Sequence, residues 1–368
     1  MKSLSSIELH YMVQELKQLE GSRVDTIYQK GKEEFLFQLF KSGDGKKLLK
    51  VVVGKSLFLA SMKEEMGSQG FCMLLRKHLE GAFLDSLAQV EPERIIKLIF
   101  SGKEKTFHLY LELFGKGNAV LCTDDDIILD ALHHQEFKDR KVEPRATYKH
   151  PQLQYNAFQL GTEMLASLLA SSTRDSLVKA LAIDLGMGGV FAEEACFQAK
   201  MDKSMKPHAL SPSQQQSLLS SIHGILSQKI SPLISLEEGE LEDVLPFPLE
   251  TLSMHGHRSF TTFSEAMDYY AEHAVPDTST SHDVKLAELK RIIEQQEKNI
   301  ASLEQEEKEQ RAKAEALYSN YAQLSTLLED LASISKKHNW QDIKEKLKGH
   351  ALIKDVNPKD KSVVVEFP

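Results

Sequence analysis

Cysteine is scarce in this chain: Cys72, Cys122 and Cys196 lie 50 and 74 positions apart. That spacing excludes a disulfide framework and a CxxC-type zinc site, and it fits a reducing compartment. No apolar run approaches the ~18 residues of a membrane span. Met1-Lys2-Ser3-Leu4 has no long apolar stretch behind it, so neither a membrane anchor nor a secretory signal is expected, and the expected location is the cytoplasm. Charge of one sign is missing where a sequence-blind polyanion binder would need it. The net charge is −9 over 368 residues; residues 1–150 carry 23 Lys+Arg against 22 Asp+Glu, residues 151–280 carry 7 against 16, and residues 281–368 carry 15 against 16. A diffuse nucleic-acid binder is basic, so any nucleic-acid partner of this chain must be recognised by a shaped site.

What is present points to two or three domains of ordinary globular composition, 41% hydrophobic and 27% charged. Residues 5–19 read as a helix capped by Ser5 or Ser6, with Ile7, Met12, Val13 and Leu16 near one face. Short β-like runs follow at 24–30, 34–40, 47–53 and 57–61, separated by Gly31, Gly43-Asp44-Gly45 and Gly54. The pattern repeats with a helix over 69–80 and runs at 83–90, 94–100, 106–113, 118–123 and 127–132. A helix followed by a meander, twice over, predicts a two-sheet β-sandwich flanked by helices within an α+β chain.

Residues 160–230 are helical in pattern, interrupted by Leu185-Gly186-Met187-Gly188-Gly189. Those glycines suit either a plain helix–helix turn or a close-approach loop that presents Gly186, Gly188 and Gly189 to a phosphate at a helix N-terminus. From Leu286 to Leu331 a 3,4 repeat runs without error over 14 positions, 11 of them apolar, with Gln296, Glu307 and Gln310 the polar ones. This is a coiled-coil seam, ~70 Å long at ~1.5 Å per residue, and it predicts self-association of two copies. Beyond it, 342–347 reads as a short helix, and 351–356 and 362–367 as two strands around Asn357-Pro358-Lys359-Asp360. The absence of a returning coil helix predicts a shortened or partial member of something longer.

The sequence carries no GxGxxG, P-loop, HExxH or GxSxG motif. His133-His134 is half a metal site with only Asp130 and Glu136 nearby, and Asp124-Asp125-Asp126 suits a polar hairpin turn or a cation. Glu193-Glu194 on a helix face different ways and cannot form a carboxylate dyad. Nothing specifies an enzyme, a cofactor or a metal; the residues alone describe a multidomain interaction protein with a rod.

The motif order carries more. Phe71-Cys72-Met73-Leu74-Leu75-Arg76-Lys77-His78-Leu79-Glu80-Gly81, then Glu93-Arg94-Ile95-Ile96, then Glu112-Leu113-Phe114-Gly115-Lys116-Gly117-Asn118 closely resembles the NFACT family, which includes the RqcH and NEMF proteins and proteins labelled fibronectin-binding protein A. The resemblance continues through 177–182, 185–189, Ala192-Glu193-Glu194, 244–249 and the coil. It implies a DNA-glycosylase-like (MutM-like) domain over 1–150, a helix–two-turn–helix domain and connector over 151–275, a coiled-coil helix over 283–335 and a partial α/β middle domain over 336–368. The function implied is ribosome-associated quality control: binding a large ribosomal subunit that still holds peptidyl-tRNA, and recruiting tRNA for mRNA-free C-terminal tailing of the stalled chain. The family's acid near the N-terminus matches Glu8, and its Asp-Arg pair matches Glu93-Arg94, with Glu where Asp is usual at both acids; these three are the tRNA-binding candidates. Gly186, Gly188, Gly189, Arg76 and Lys77 are candidates for phosphate or RNA contact. Two other readings follow from the same resemblance. One is a nucleic-acid-binding MutM-like protein without glycosylase activity, because Met1-Lys2-Ser3 lacks the N-terminal Pro nucleophile. The other is a fibronectin-binding adhesin, which would require export.

Overall fold

The computed structural model describes residues 1–63, 66–68, 70–137, 140–151, 154–274, and, further on, 293, 296, 300, 303–305, 307–335, 339–347, 353–357, 360 and 362–365. The chain divides into two compact units, Met1–Pro276 and Asp277–Pro368.

The first unit opens with helix α1 (Ser6–Leu16), whose start is fixed by a capping box. Ser5 Oγ accepts the Glu8 N–H at 3.3 Å, and the Glu8 carboxylate accepts the Ser5 N–H at 2.7 Å. Two orphan amides are satisfied at once. A first meander follows, β1 (Arg23–Lys30), β2 (Glu34–Lys41), β3 (Gly45–Val52) and β4 (Ser56–Leu59), then α2 (Phe71–Leu79) and a second, β5 (Phe83–Gln89), β6 (Ile95–Ser101), β7 (Thr106–Glu112), β8 (Asn118–Thr123) and β9 (Ile128–Ala131). Two-residue strands β10 (Gln135–Glu136) and β11 (Lys141–Val142) pair beside them.

The meanders are not two separate sheets, as the repeat predicts. They join edge to edge through β1 and β5 into one antiparallel nine-stranded sheet, ordered β4-β3-β2-β1-β5-β6-β7-β8-β9. The joint is narrow, with Arg23 opposite Phe83 and flanking bonds between Val24 and Ala82 and between Leu84 and Ser22. The halves still enclose a common core. Phe35, Phe37 and Leu49 of the first pack in one cluster with Leu84, Leu98 and Leu111 of the second and with Ile7, Leu9 and Met12 of α1. The turns at Gly54 and Gly117 also touch backbone to backbone. Strand β8 is buried on both faces: Ala119 and Leu121 point to this core, Val120 and Cys122 to a smaller one with Ile95, Tyr110, Ile128 and Tyr148.

Of the described residues that follow, Leu165, Leu168, Phe191, Ile222 and Phe263 belong to the same cluster. This stretch forms α3 (Thr162–Ser171), α4 (Leu177–Lys179) running into a π-helical turn at Ala180–Asp184, α5 (Gly189–Gln198) and α6 (Pro212–Leu226). A three-stranded sheet not anticipated from the sequence follows, β12 (Leu233–Glu237), β13 (Glu240–Leu245) and β14 (Gly256–Ser259), in the order β13-β12-β14, closed by α7 (Phe263–His273). Helix α1 is tied to these distant elements. The Tyr11 hydroxyl lies 3.1–3.2 Å from the carbonyls of Ile225, Leu226 and Gln228. The Glu15 carboxylate accepts the N–H groups of Phe263 at 2.7 Å and Ser264 at 3.2 Å, where a helix start favours an anion.

In the second unit, 307–319 and α8 (Tyr321–Ser335) are helical, followed by α9 (Trp340–Lys346) and an antiparallel hairpin of β15 (Ile353–Asn357) and β16 (Ser362–Val365). Ile343, Ile353 and Val356 are buried. Of the seam, Leu303, Leu317, Tyr321 and Leu328 are exposed and Leu331 is buried; Leu286 and Leu289, like Ala351 and Phe367 of the hairpin, lie outside the described residues. No helix of the described residues is long and apolar enough to cross a membrane.

Candidate functional site

A cavity of about 630 Å³ opens in the first unit where the start of α1, the turn before β6, the start of α5, Asp243 and Tyr270 meet. Sequence-distant segments reach it for identifiable reasons. The turn before β6 is held by Gln89, whose Nε2 donates to the carbonyls of Ser6 and Glu93 at 3.1 and 3.0 Å, and by Ser6 Oγ, which donates to the Pro92 carbonyl at 2.6 Å. The start of α5 approaches α1 because residue 188 is glycine. Its φ is +83°, and a Cβ there would sit 3.0 Å from the Ser5 Cβ. Helix α5 has no side-chain cap, so the amides of its first turn, at Gly189, Val190 and Phe191 on the cavity wall, are those a helix leaves without an internal partner.

Two cations and three carboxylates line this cavity. The Lys2 side chain is 8% exposed and pairs with Glu8 at 2.6 Å and with Asp243. Burial works against its charge, but the two carboxylates together hold Lys2 above the ordinary lysine value. Glu8 is thereby fully engaged, between the α1 cap and Lys2. A carboxylate at the third helical position needs the longer glutamate arm to reach back to the cap, so the extra methylene has a local use. Arg94 is half-buried. Its Nη1 makes two long hydrogen bonds, 3.5 Å to Ser3 Oγ and 3.4 Å to the Leu4 carbonyl. Burial pulls its pKa down while Glu8 and Glu93 oppose the shift; a guanidinium stays charged at neutral pH regardless. Glu93 is 8% exposed, not the surface half of a turn pair.

Of the sequence candidates, Glu8, Glu93, Arg94, Gly186, Gly188 and Gly189 come together here. Arg76 and Lys77 do not. Arg76 is used on α2: its Nε donates to the Ile27 carbonyl at 2.5 Å and its guanidinium pairs with Glu80 and lies over Tyr28. Lys77 is exposed on the same helix. Lys2, Asp243 and Tyr270 were missed. Ser5-x-x-Glu8 is a readable capping signature, but nothing in the sequence pairs position 2 with position 243.

The remaining acidic and histidine motifs make local hydrogen bonds and ion pairs. Asp126 closes its hairpin at φ +59° and its carboxylate holds His108 Nδ1 at 2.6 Å and the Tyr110 hydroxyl at 2.7 Å. His134 bonds Asp130 at 2.7 Å, and no group of three metal-binding side chains occurs among the described residues. Glu193 points outward to Lys203, while buried Glu194 accepts the N–H groups of Glu250 and Thr251.

Comparisons with known proteins bear on family and fold. A family model described as NFACT N-terminal and middle domains matches residues 5–365. The archaeal Rqc2 homolog aRqcH of Methanocaldococcus jannaschii is 24% identical over 394 residues, covering 100% of this chain and 58% of its own length. The Rqc2 homolog RqcH of Bacillus subtilis is 28% identical over 280 residues, 70% of this chain and 47% of its own. The ribosome quality control complex subunit NEMF of Homo sapiens is 31% identical over 185 residues, 49% of this chain and 17% of its own. The chain thus spans about half the length of the archaeal and Bacillus relatives. Among solved structures, the fibrinogen binding protein of Staphylococcus aureus superposes with TM-score 0.61 at 18% identity, over 72% of this chain and 98% of that one. The N-terminal part of the fibronectin/fibrinogen-binding protein of Streptococcus suis gives 0.60 at 22%, over 73% and 99%. At these identities the likeness is one of fold. With the family match running over residues 5–365, this chain belongs to the NFACT family.

Proposed function

We propose that this chain is the tRNA-recruiting, large-subunit-binding part of a ribosome quality control factor, and that the Arg94 cavity grips the tRNA. The observation that carries the reading is the state of Arg94: a charged fork at a cavity wall shared with the uncapped start of α5, its two hydrogen bonds long and its counter-charges Glu8 and Glu93. A guanidinium so placed suits a base edge or a phosphate. The role is binding, not catalysis. Lys2, a lysine of the cavity lining, is held as a cation between two carboxylates and is no nucleophile. Peptide-bond chemistry in tailing then belongs to the ribosome.

The test is equilibrium binding of bulk tRNA by fluorescence anisotropy. Arg94→Ala is expected to weaken binding about tenfold or more, the worth of one bidentate contact, with the melting temperature nearly unchanged. Arg94→Lys restores charge without the fork and should remain weak. Unchanged affinity in both variants would refute the reading, and a collapse in stability would make Arg94 structural.

The rod is proposed as a self-association surface in the cytoplasm, because Leu303, Leu317, Tyr321 and Leu328 repeat along the seam and are exposed. Sedimentation should show a concentration-dependent monomer–dimer equilibrium that vanishes when residues 283–368 are removed. A strictly monomeric chain at high concentration would sink it.

A further inference from the structure

The first unit holds a second and larger cavity, of about 1010 Å³. Phe114 lines both cavities, and Val90 and Lys97, at the two ends of the segment containing Glu93 and Arg94, line the second. The two differ in charge. Lys2 and Arg94 against Glu8, Glu93 and Asp243 leave the first at −1. In the second, Arg140 is already neutralised by Glu112, and Lys97 and Lys149 against Asp126 leave it at +1. They also differ in surface. Phe137 stands 45% exposed at the second, with the Arg140 guanidinium 4.7 Å from its ring centroid, and half-buried Phe114 adds a further ring. Lys97 is held loosely, 3.7 Å from Asp126, and Lys149 is exposed.

We infer that this second cavity is a single-stranded RNA subsite in which an unpaired nucleotide stacks on Phe137 while Lys97 and Lys149 take its flanking phosphates. Three observations fix that occupant. An exposed ring with a guanidinium over one face offers its other face as a platform on which any base stacks, whatever its sequence. The excess of positive charge is what a polyanion needs and what the first cavity lacks. The shared Phe114 wall makes the two cavities successive stations for one strand. The division of labour is then physical: the Arg94 cavity reads base edges, and the Phe137 cavity holds the backbone and one base face. This rests on the tRNA reading given above.

The test measures binding of bulk tRNA and of a twelve-nucleotide single-stranded RNA to the 368-residue chain across a KCl series. Phe137→Ala should weaken both by about fivefold or more while leaving the salt dependence unchanged, because a neutral contact is lost. Phe137→Trp should restore affinity. Lys149→Ala, at an exposed position, should lower the slope of log K against log[salt] by about 0.7, the mark of one lost phosphate contact on a single strand. Wild-type affinity and slope in Phe137→Ala and Lys149→Ala, with binding still lost in Arg94→Ala, would overturn the second subsite and leave the first. Loss in Phe137→Ala with Arg94→Ala silent would support the second and refute the first. A wild-type chain that binds neither RNA refutes both.

Discussion

Replacing Gly117 by alanine should lower the stability of the first unit by about 4 kcal/mol, a fall in melting temperature of roughly 8–16 °C for a unit of this size. A Cβ at this position would lie 2.1 Å from the Gly54 nitrogen, 2.4 Å from its Cα and 2.7 Å from the Val53 carbonyl carbon. All three are backbone atoms, so no rotamer change relieves the clash. The φ of +72° adds the usual penalty for a side chain in the left-handed region. The two halves of the sheet would have to separate at their tips, breaking the bond from the Gly54 N–H to the Glu112 carbonyl. Gly115 is the control. Its φ is +58°, but nothing lies within 4 Å of a Cβ there, so Gly115→Ala should cost only about 1–2 kcal/mol. Equal thermal shifts in the two variants would show that the tips are not in contact.

Glu112→Ala is the second large effect expected, about 3–5 kcal/mol by denaturant unfolding. Glu112 and Arg140 form a two-pronged pair at 2.5 and 3.1 Å, their side chains only 2% and 8% exposed, and the Tyr148 hydroxyl donates to the same carboxylate at 2.9 Å. Removing the carboxylate strands a buried guanidinium and a buried hydroxyl. The stranded charge is the main cost, so Glu112→Ala combined with Arg140→Met should recover part of the loss. A change below about 1 kcal/mol in Glu112→Ala would mean that water enters and solvates Arg140. The same pair holds Arg140 beside Phe137, so the single variant should also disturb the second cavity.

Much of the fold was legible, for reasons that differ by element. The helix over 5–19 and the strand runs from 24 to 132 fall within about two residues of the observed elements, because alternation and glycine turns are local signals. Which edges pair is not local. Alternation assigns faces, not neighbours, and the β1–β5 joint that turns two predicted sheets into one rests on a single directly opposed pair, Arg23 and Phe83. The sheet of β12 to β14 went unread because β14, Gly256-His257-Arg258-Ser259, is polar and exposed throughout and carries no alternation. Of the residues that line the cavity, Glu8, Glu93 and Arg94 were singled out through the family resemblance and the Gly186–Gly189 turn through its glycine spacing. Lys2 and Asp243 were not, because an ion pair across 241 positions leaves no periodic trace. Arg76 and Lys77 lie on another face of the unit, and a basic pair on a helix has the same appearance in sequence whether it faces a ligand or, as Arg76 does, a neighbouring strand's carbonyl.

The ties that fix α1 also set the order in which the protein can become itself during synthesis. Tyr11 waits for residues 225–228, Lys2 for Asp243 and Glu15 for Phe263 and Ser264. The helix emerges first and its apolar face meets Phe35, Phe37 and Leu49 early, yet the partners of Lys2, Tyr11 and Glu15 are made more than two hundred residues later, so these polar ties stay unmade for most of translation. Contacts of such long sequence separation form slowly and leave the early chain open to misassembly. The Arg94 cavity, walled by both ends of this span, comes into being among the last features of its unit. A nascent chain halted anywhere before residue 243 would hold Arg94 and Glu8 without the third carboxylate that completes their setting.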